Sequence, residues 1–86
     1  MLYPFMTLND ETEIVHSEII EKDGREAVKV VIEKPVMNGF HSAVCWLPEY
    51  RWESVNGFTH RDLQNYQEII TSAASKMIES AKTHRL

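Results

Sequence analysis

The stretch Phe58 to Leu86, FTHRDLQNYQEIITSAASKMIESAKTHRL, decides the fold, because it opens with a complete helix start signal and continues in a one-faced helical pattern. Thr59 and Asp62 have capping-box spacing: the threonine hydroxyl accepts from the backbone N–H three residues on, and the aspartate accepts from the threonine N–H. Phe58 before the cap and Leu63 at the fourth helical position are spaced as a hydrophobic staple, which sets the angle of entry. Leu63, Tyr66, Ile70, Ala74, Met77 and Ala81 then recur at helical spacing, and Ile69, Ala73 and Ile78 widen the stripe. Glu68, Lys76, Glu79 and Lys82 fall on the remaining surface, so the helix is expected to bury one face.

Outward from this helix, the preceding residues read as a strand meander. Asp23-Gly24 suits a two-residue hairpin turn, since both positions accept positive φ. A turn there pairs Ile19 with Val28, Ser17 with Val30 and Val15 with Ile32 on one face, and Glu18 with Lys29, His16 with Val31 and Ile20 with Ala27 on the other. The first set is expected to be core and the second, mixed set solvated. Ile14, Ile20 and Val31 would then be apolar interruptions on the exposed face. Tyr3 to Leu8 reads as an earlier strand, confined by Pro4 to an edge or a strand start, with a turn at Asn9 to Glu11. Lys34 to Gly39 breaks the pattern, His41 to Leu47 resumes it, Pro48 to Tyr50 reverses the chain, and Arg51 to Val55 returns. Asn56-Gly57 leads into the helix, while Pro48 leaves the register of the last hairpin open.

The expected fold is therefore α+β: an antiparallel β-meander of four or five strands (residues 1–58) with one long C-terminal helix (residues 59–84) on one face, forming a single domain over residues 1–86. A helix from His60 to about Thr83 is roughly 36 Å long at about 1.5 Å per residue. A strand from Ile14 to Ile20 spans only about 23 Å at roughly 3.3 Å per residue. About two helical turns should project, carrying Met77, Ile78 and Ala81 as an interface for a homodimer or a protein partner. Trp46 and Trp52, flanking the Pro48 reversal with Tyr50, are a second set of candidate anchors.

A hydrophobic fraction of 43% argues against disorder, and no apolar run approaches a membrane helix. Met1 to Leu8 lacks the pattern of a signal peptide, and the single Cys45 forms no internal disulfide, so a cytoplasmic location is expected. The net charge of −4 comes from residues 1–34, which carry eight acids against four bases, whereas residues 35–86 carry five of each. With no gathered basic face, neither nucleic acid nor a membrane is an expected partner. Lys82, His84 and Arg85 complement the negative end of the helix dipole.

No catalytic set, metal site or cofactor is assigned. His41 and Cys45 lie four apart on a strand, about 13 Å from each other, too far for one zinc. The three glycines, Gly24, Gly39 and Gly57, all sit in turns, leaving no phosphate-binding loop. His60 opens the helix, where the dipole disfavours an imidazolium. The acids Glu13, Glu18, Glu21 and Glu33 read as a solvated strand face.

The opening YPFMTLNDETEIVHSE, residues 3–18, and the later FHSAVCWLP, residues 40–48, resemble a group of short proteins from anaerobic Gram-positive bacteria. That group has no assigned function, so the resemblance implies neither a mechanism nor a site. The order of meander then helix is also loosely similar to small antitoxin domains of the HicB type, though their Asp-Gly-Gly-Tyr and Pro-Asp-Leu-Pro-Gly elements are missing. The expected function is a non-catalytic protein-interaction module that dimerises, antitoxin-like or a regulatory accessory protein. The alternative is a small enzyme or ligand-binding domain with a pocket between helix and sheet near His41, Cys45 and Tyr66.

Overall fold

The computed structural model describes residues 1–84 and is an antiparallel sheet with one helix laid across one face. The strands are β1 (Leu2–Thr7), β2 (Glu13–Ser17), β3 (Ile20–Lys22), β4 (Arg25–Val36), β5 (Gly39–Leu47) and β6 (Arg51–Asn56), and the helix is α1 (His60–Lys82). The sheet runs β1-β2-β4-β5-β6, with β3 beside the start of β4. β2 and β3 are thus two parts of one interrupted strand, and counting them together gives a five-stranded meander, the upper of the four or five strands expected.

The Asp23-Gly24 turn forms with φ of 52° and 78°, the positive pair of a type I′ turn, and sets the expected register of Ile20 with Ala27 and Lys22 with Arg25. Beyond Glu18 that register slips by one residue, so that His16 opposes Val30, Val15 opposes Val31 and Ile14 opposes Ile32. Ser17 makes the slip possible. Its Oγ accepts from the Lys29 backbone N–H at 2.9 Å and donates to the Glu18 carbonyl at 2.7 Å, replacing ladder bonds lost at the bulge. A slip of one exchanges the faces of a strand. Ile14 and His16, expected on the mixed face, are therefore fully buried under the helix, and Val15, expected in the core, is only half-buried.

β4 continues through Pro35 to Val36, past the break expected at Lys34. Beyond Glu33, β4 has β5 as its neighbour but no longer β2, and a one-sided stretch tolerates a residue without an N–H. The outermost strands are both irregular: β1 carries Pro4 and a bulge before Met6, and β6 has a register shift with Ser54 at φ 54°. The Leu47–Pro48 bond is cis, and the reversal pairs Trp46 with Arg51 and Cys45 with Trp52, the register left open by the sequence.

Helix α1 begins as expected. Thr59 Oγ1 accepts from the Asp62 N–H at 3.1 Å, and Asp62 accepts from the Thr59 N–H at 2.8 Å. Its inward residues Tyr66, Ile70, Ala73, Met77 and Ala81 pack on Ile14, Val28, Val30, Ile32, Ala43, Cys45 and Leu47, with Phe58 among them. Ala73 rather than Ala74 lies at the centre of the buried stripe.

The expected overhang is absent. Met77 and Ala81 are 0% exposed, and Ile78 is half-buried against the same core. The 12 residues of β4 span roughly 40 Å at about 3.3 Å each, so the sheet is as long as the helix. Edge residues close over the last turns: Tyr3 stacks on His84 with ring centroids 3.6 Å apart, and His16 Nε2 meets Ser80 Oγ at 3.0 Å. Arg85, the remaining member of the basic last turn, lies outside the described residues.

Candidate functional site

The alternation of each strand divides the residues between two faces. Val28, Val30 and Ile32 of β4, with their cross-strand neighbours on β2 and β5, face α1. Residues one position along face the other way, where among the described residues no element covers them. On that open face the registers align three rows across the strands. The central row is Pro4, Val15, Val31, Val44 and Glu53. On one side lies Thr7, Glu13, Glu33, Ser42 and Asn56; on the other lies Lys29, Trp46 and Arg51. Ile20 and Ala27 extend the apolar ground beyond Lys29. Val15, Ile20, Ala27, Val31, Val44 and Trp46 all stand outside the core cluster.

The two tryptophans separate here. Trp52 turns toward the helix, packs on the core and donates from Nε1 to Gln67 Oε1 at 3.0 Å. Trp46 lies on the open face and is nevertheless mostly covered, because Lys22 Nζ sits 3.9 Å above its ring. The Trp46 indole N–H donates to Glu53, which holds that carboxyl below its ordinary range and also faces Lys22 at 3.9 Å. Around this group runs a cleft of about 300 Å³ lined in part by Ala27, Trp46, Pro48, Lys22, Arg25 and Arg51. At the opposite end of the face Phe40, paired with Pro35, is 66% exposed beside Glu33 and Glu13.

The pocket expected near Cys45 is occupied by the protein itself. Cys45 is fully enclosed, and burial pushes its thiol up to about 11, so it is a neutral, inert group near pH 7. Phe58 fills the space between the other two residues, edge-on to His41 at 5.5 Å and to Tyr66 at 5.1 Å. Tyr66 Oη lies 3.4 Å from the hydroxyl of buried Thr12. Among the described residues no three His, Cys, Asp or Glu side chains are grouped to hold a metal, and no helix is long and apolar enough to cross a membrane.

A buried polar element that sequence reasoning placed at the surface is His16. Its Nδ1–H donates to the Ser17 carbonyl at 2.8 Å, and its Nε2 lies 3.0 Å from the Ser80 hydroxyl in a second hydrogen bond. Tyr3 and Phe5 enclose the ring at 5.9 and 6.1 Å, so His16 ties sheet to helix rather than facing a ligand. The helix-tip candidates Met77 and Ala81 are likewise internal, and of the expected anchors only Trp46 stands on the open face.

No protein-family model, curated protein or solved structure matches this chain.

Proposed function

We propose that this chain is a small non-catalytic protein-interaction module whose working surface is the open sheet face. The observation that carries this reading is the cross-strand row Val15, Val31 and Val44, half-buried residues outside the core cluster with no element over them. Single exposed apolar residues are ordinary, but an aligned row of three half-buried valines running on to Trp46 along β5 is apolar surface that association would desolvate, with Lys29 and Glu33 flanking it and exposed Phe40 standing apart beyond Ser42. The inert Cys45 and the Phe58-filled space beside it favour binding over chemistry.

The test compares the wild-type chain with a Val31→Lys/Val44→Lys variant. The variant keeps its thermal midpoint within a few degrees and loses whatever chain the wild type holds, whether a second copy or a host protein retained at moderate salt. Alkylating reagent applied to the native protein leaves binding intact. A wild type that retains nothing above a tag-only control, or a variant that binds as well as the wild type, ends this reading.

A further inference from the structure

We infer that the occupant of the open face is the same face of a second copy, related by a two-fold axis lying along the Pro4, Val15, Val31, Val44 row. This rests on the interaction reading above and names the partner. Within one chain Glu13 and Glu33 stand directly opposite each other across β2 and β4, a like-charge pair that is unfavourable alone. Two residues to the other side of the valine row, at the same strand, stands Lys29. Rotation about the row carries each strand onto itself while exchanging its two ends. Glu33 of one copy then lies over Lys29 of its partner, and Lys29 over Glu33; along the axis valine meets valine, and Glu53 at the end of the row meets its own copy with each carboxyl already held by Lys22 and the Trp46 indole. Rotation about the perpendicular axis, parallel to β4, would instead lay glutamate on glutamate and lysine on lysine. Charge therefore selects the first arrangement, an isologous contact between aligned sheets.

Shape agrees with charge. The same rotation sets Trp46 against Ser42, large against small, because both lie on β5 at equal distances from Val44. It also carries exposed Phe40 toward Pro48, four positions to either side of Val44, and so to the rim of the cleft of about 300 Å³, where Ala27, Trp46 and Pro48 form an apolar floor among charged side chains that include Asp23, Glu26 and Glu49. An exposed aromatic that finds a pocket on its partner is the usual anchor of an interface. Five strands about 4.8 Å apart by the six residues of β1 and β6, at about 3.3 Å each, present a face of roughly 480 Å² in projection. That is on the order of the 800 Å² of accessible area each partner gives to a standard interface.

The experiment is a charge exchange read by sedimentation equilibrium between about 1 and 100 μM. Wild type is expected at the mass of two chains. Lys29→Glu and Glu33→Lys, each of which makes the facing charges alike, should weaken the dimer at least tenfold, and Phe40→Ala should do the same. The double exchange Lys29→Glu/Glu33→Lys should restore wild-type affinity, which a merely structural effect of either change would not do. Circular dichroism of each variant confirms that it folds. A wild type at the mass of one chain overturns the proposal, as does a dimer indifferent to both single changes or a double exchange that fails to rescue. A single-chain wild type that still loses a captured host protein on Val31→Lys/Val44→Lys would leave the interaction reading standing while removing the second copy.

Discussion

Changing Met77 to alanine removes everything beyond Cβ from a side chain that is 0% exposed and enclosed by one chain alone. Burial of a methionine contributes about 1.5 to 3 kcal/mol, and the cavity left behind adds to the loss. Large-to-small changes of this type cost about 2 to 5 kcal/mol; the slightly better helix propensity of alanine offsets only a few tenths. Taking about 3 kcal/mol and a urea slope of about 1 kcal/mol/M for a chain of this size, the unfolding midpoint should fall by roughly 3 M. Tryptophan fluorescence and far-UV circular dichroism, recorded at two protein concentrations tenfold apart, should give the same difference between variant and wild type. An exposed helix tip would shift the midpoint by no more than about 0.5 M, since surface substitutions stay within about 0.5 kcal/mol. A shift that small would refute the enclosed packing of the last turns. So would a difference that grows with concentration, because the cavity would then belong to an assembly.

Three further outcomes follow from particular contacts. Ser80→Ala leaves His16 Nε2 buried without its partner and should cost about 1 to 3 kcal/mol in chemical denaturation, whereas Ser72→Ala, on the exposed helix face, should cost less than about 0.5 kcal/mol. Gly57→Ala puts a Cβ 2.2 Å from the His41 ring at a φ of +88°, so it should lose about 1 to 3 kcal/mol and move the His41 imidazole resonances in NMR. Asp62 is held below its ordinary range chiefly by the Thr59 backbone N–H, Asp10 by the Thr12 hydroxyl, and Glu53 by the Trp46 indole. Depressed folded values mean that the unfolded chain binds more protons. Their stabilisation is therefore complete above about pH 4 to 5 and disappears as pH falls through the folded values, so the acid limb of stability should flatten in Asp62→Asn. An acid limb unchanged by that substitution would remove the cap from the account.

What was legible in the sequence was what neighbouring residues decide among themselves. The Thr59 and Asp62 box, the helical stripe and the Asp23-Gly24 turn each depend on a few consecutive positions, and each forms as read. The face assignment of β2 depends instead on whether Ser17 supplies a hydrogen bond in place of backbone, and nothing in the alternation of Ile14, Val15 and His16 records that choice. The same one-residue slip hid His16 in the core and brought Val15 to the open face. The overhang expected from the length of Ile14 to Ile20 alone is absent because several strands cover the last turns: His16 of β2 meets Ser80, and Ile78 lies beside Ile19, Val28 and Leu47, contacts between residues far apart in the sequence. The mixed face was partly visible in Ile20 and Val31. Its order was not, since the row through Val44 and the position of Trp46 required the register across Pro48, which Pro48 itself does not dictate.

The kinks in β1 and β6 reach beyond the single chain. A flat, regular margin invites further strands to zip on, and chains joined that way have no last member, growing into ribbons that come out of solution. Pro4 and the bulge before Met6 spoil one margin, and the left-handed Ser54 spoils the other. Sideways growth is thereby discouraged at both borders. What stays open is stacking of layer on layer, which closes after a single event because each layer has one bare side, so the defects of the margins help to make any assembly finite.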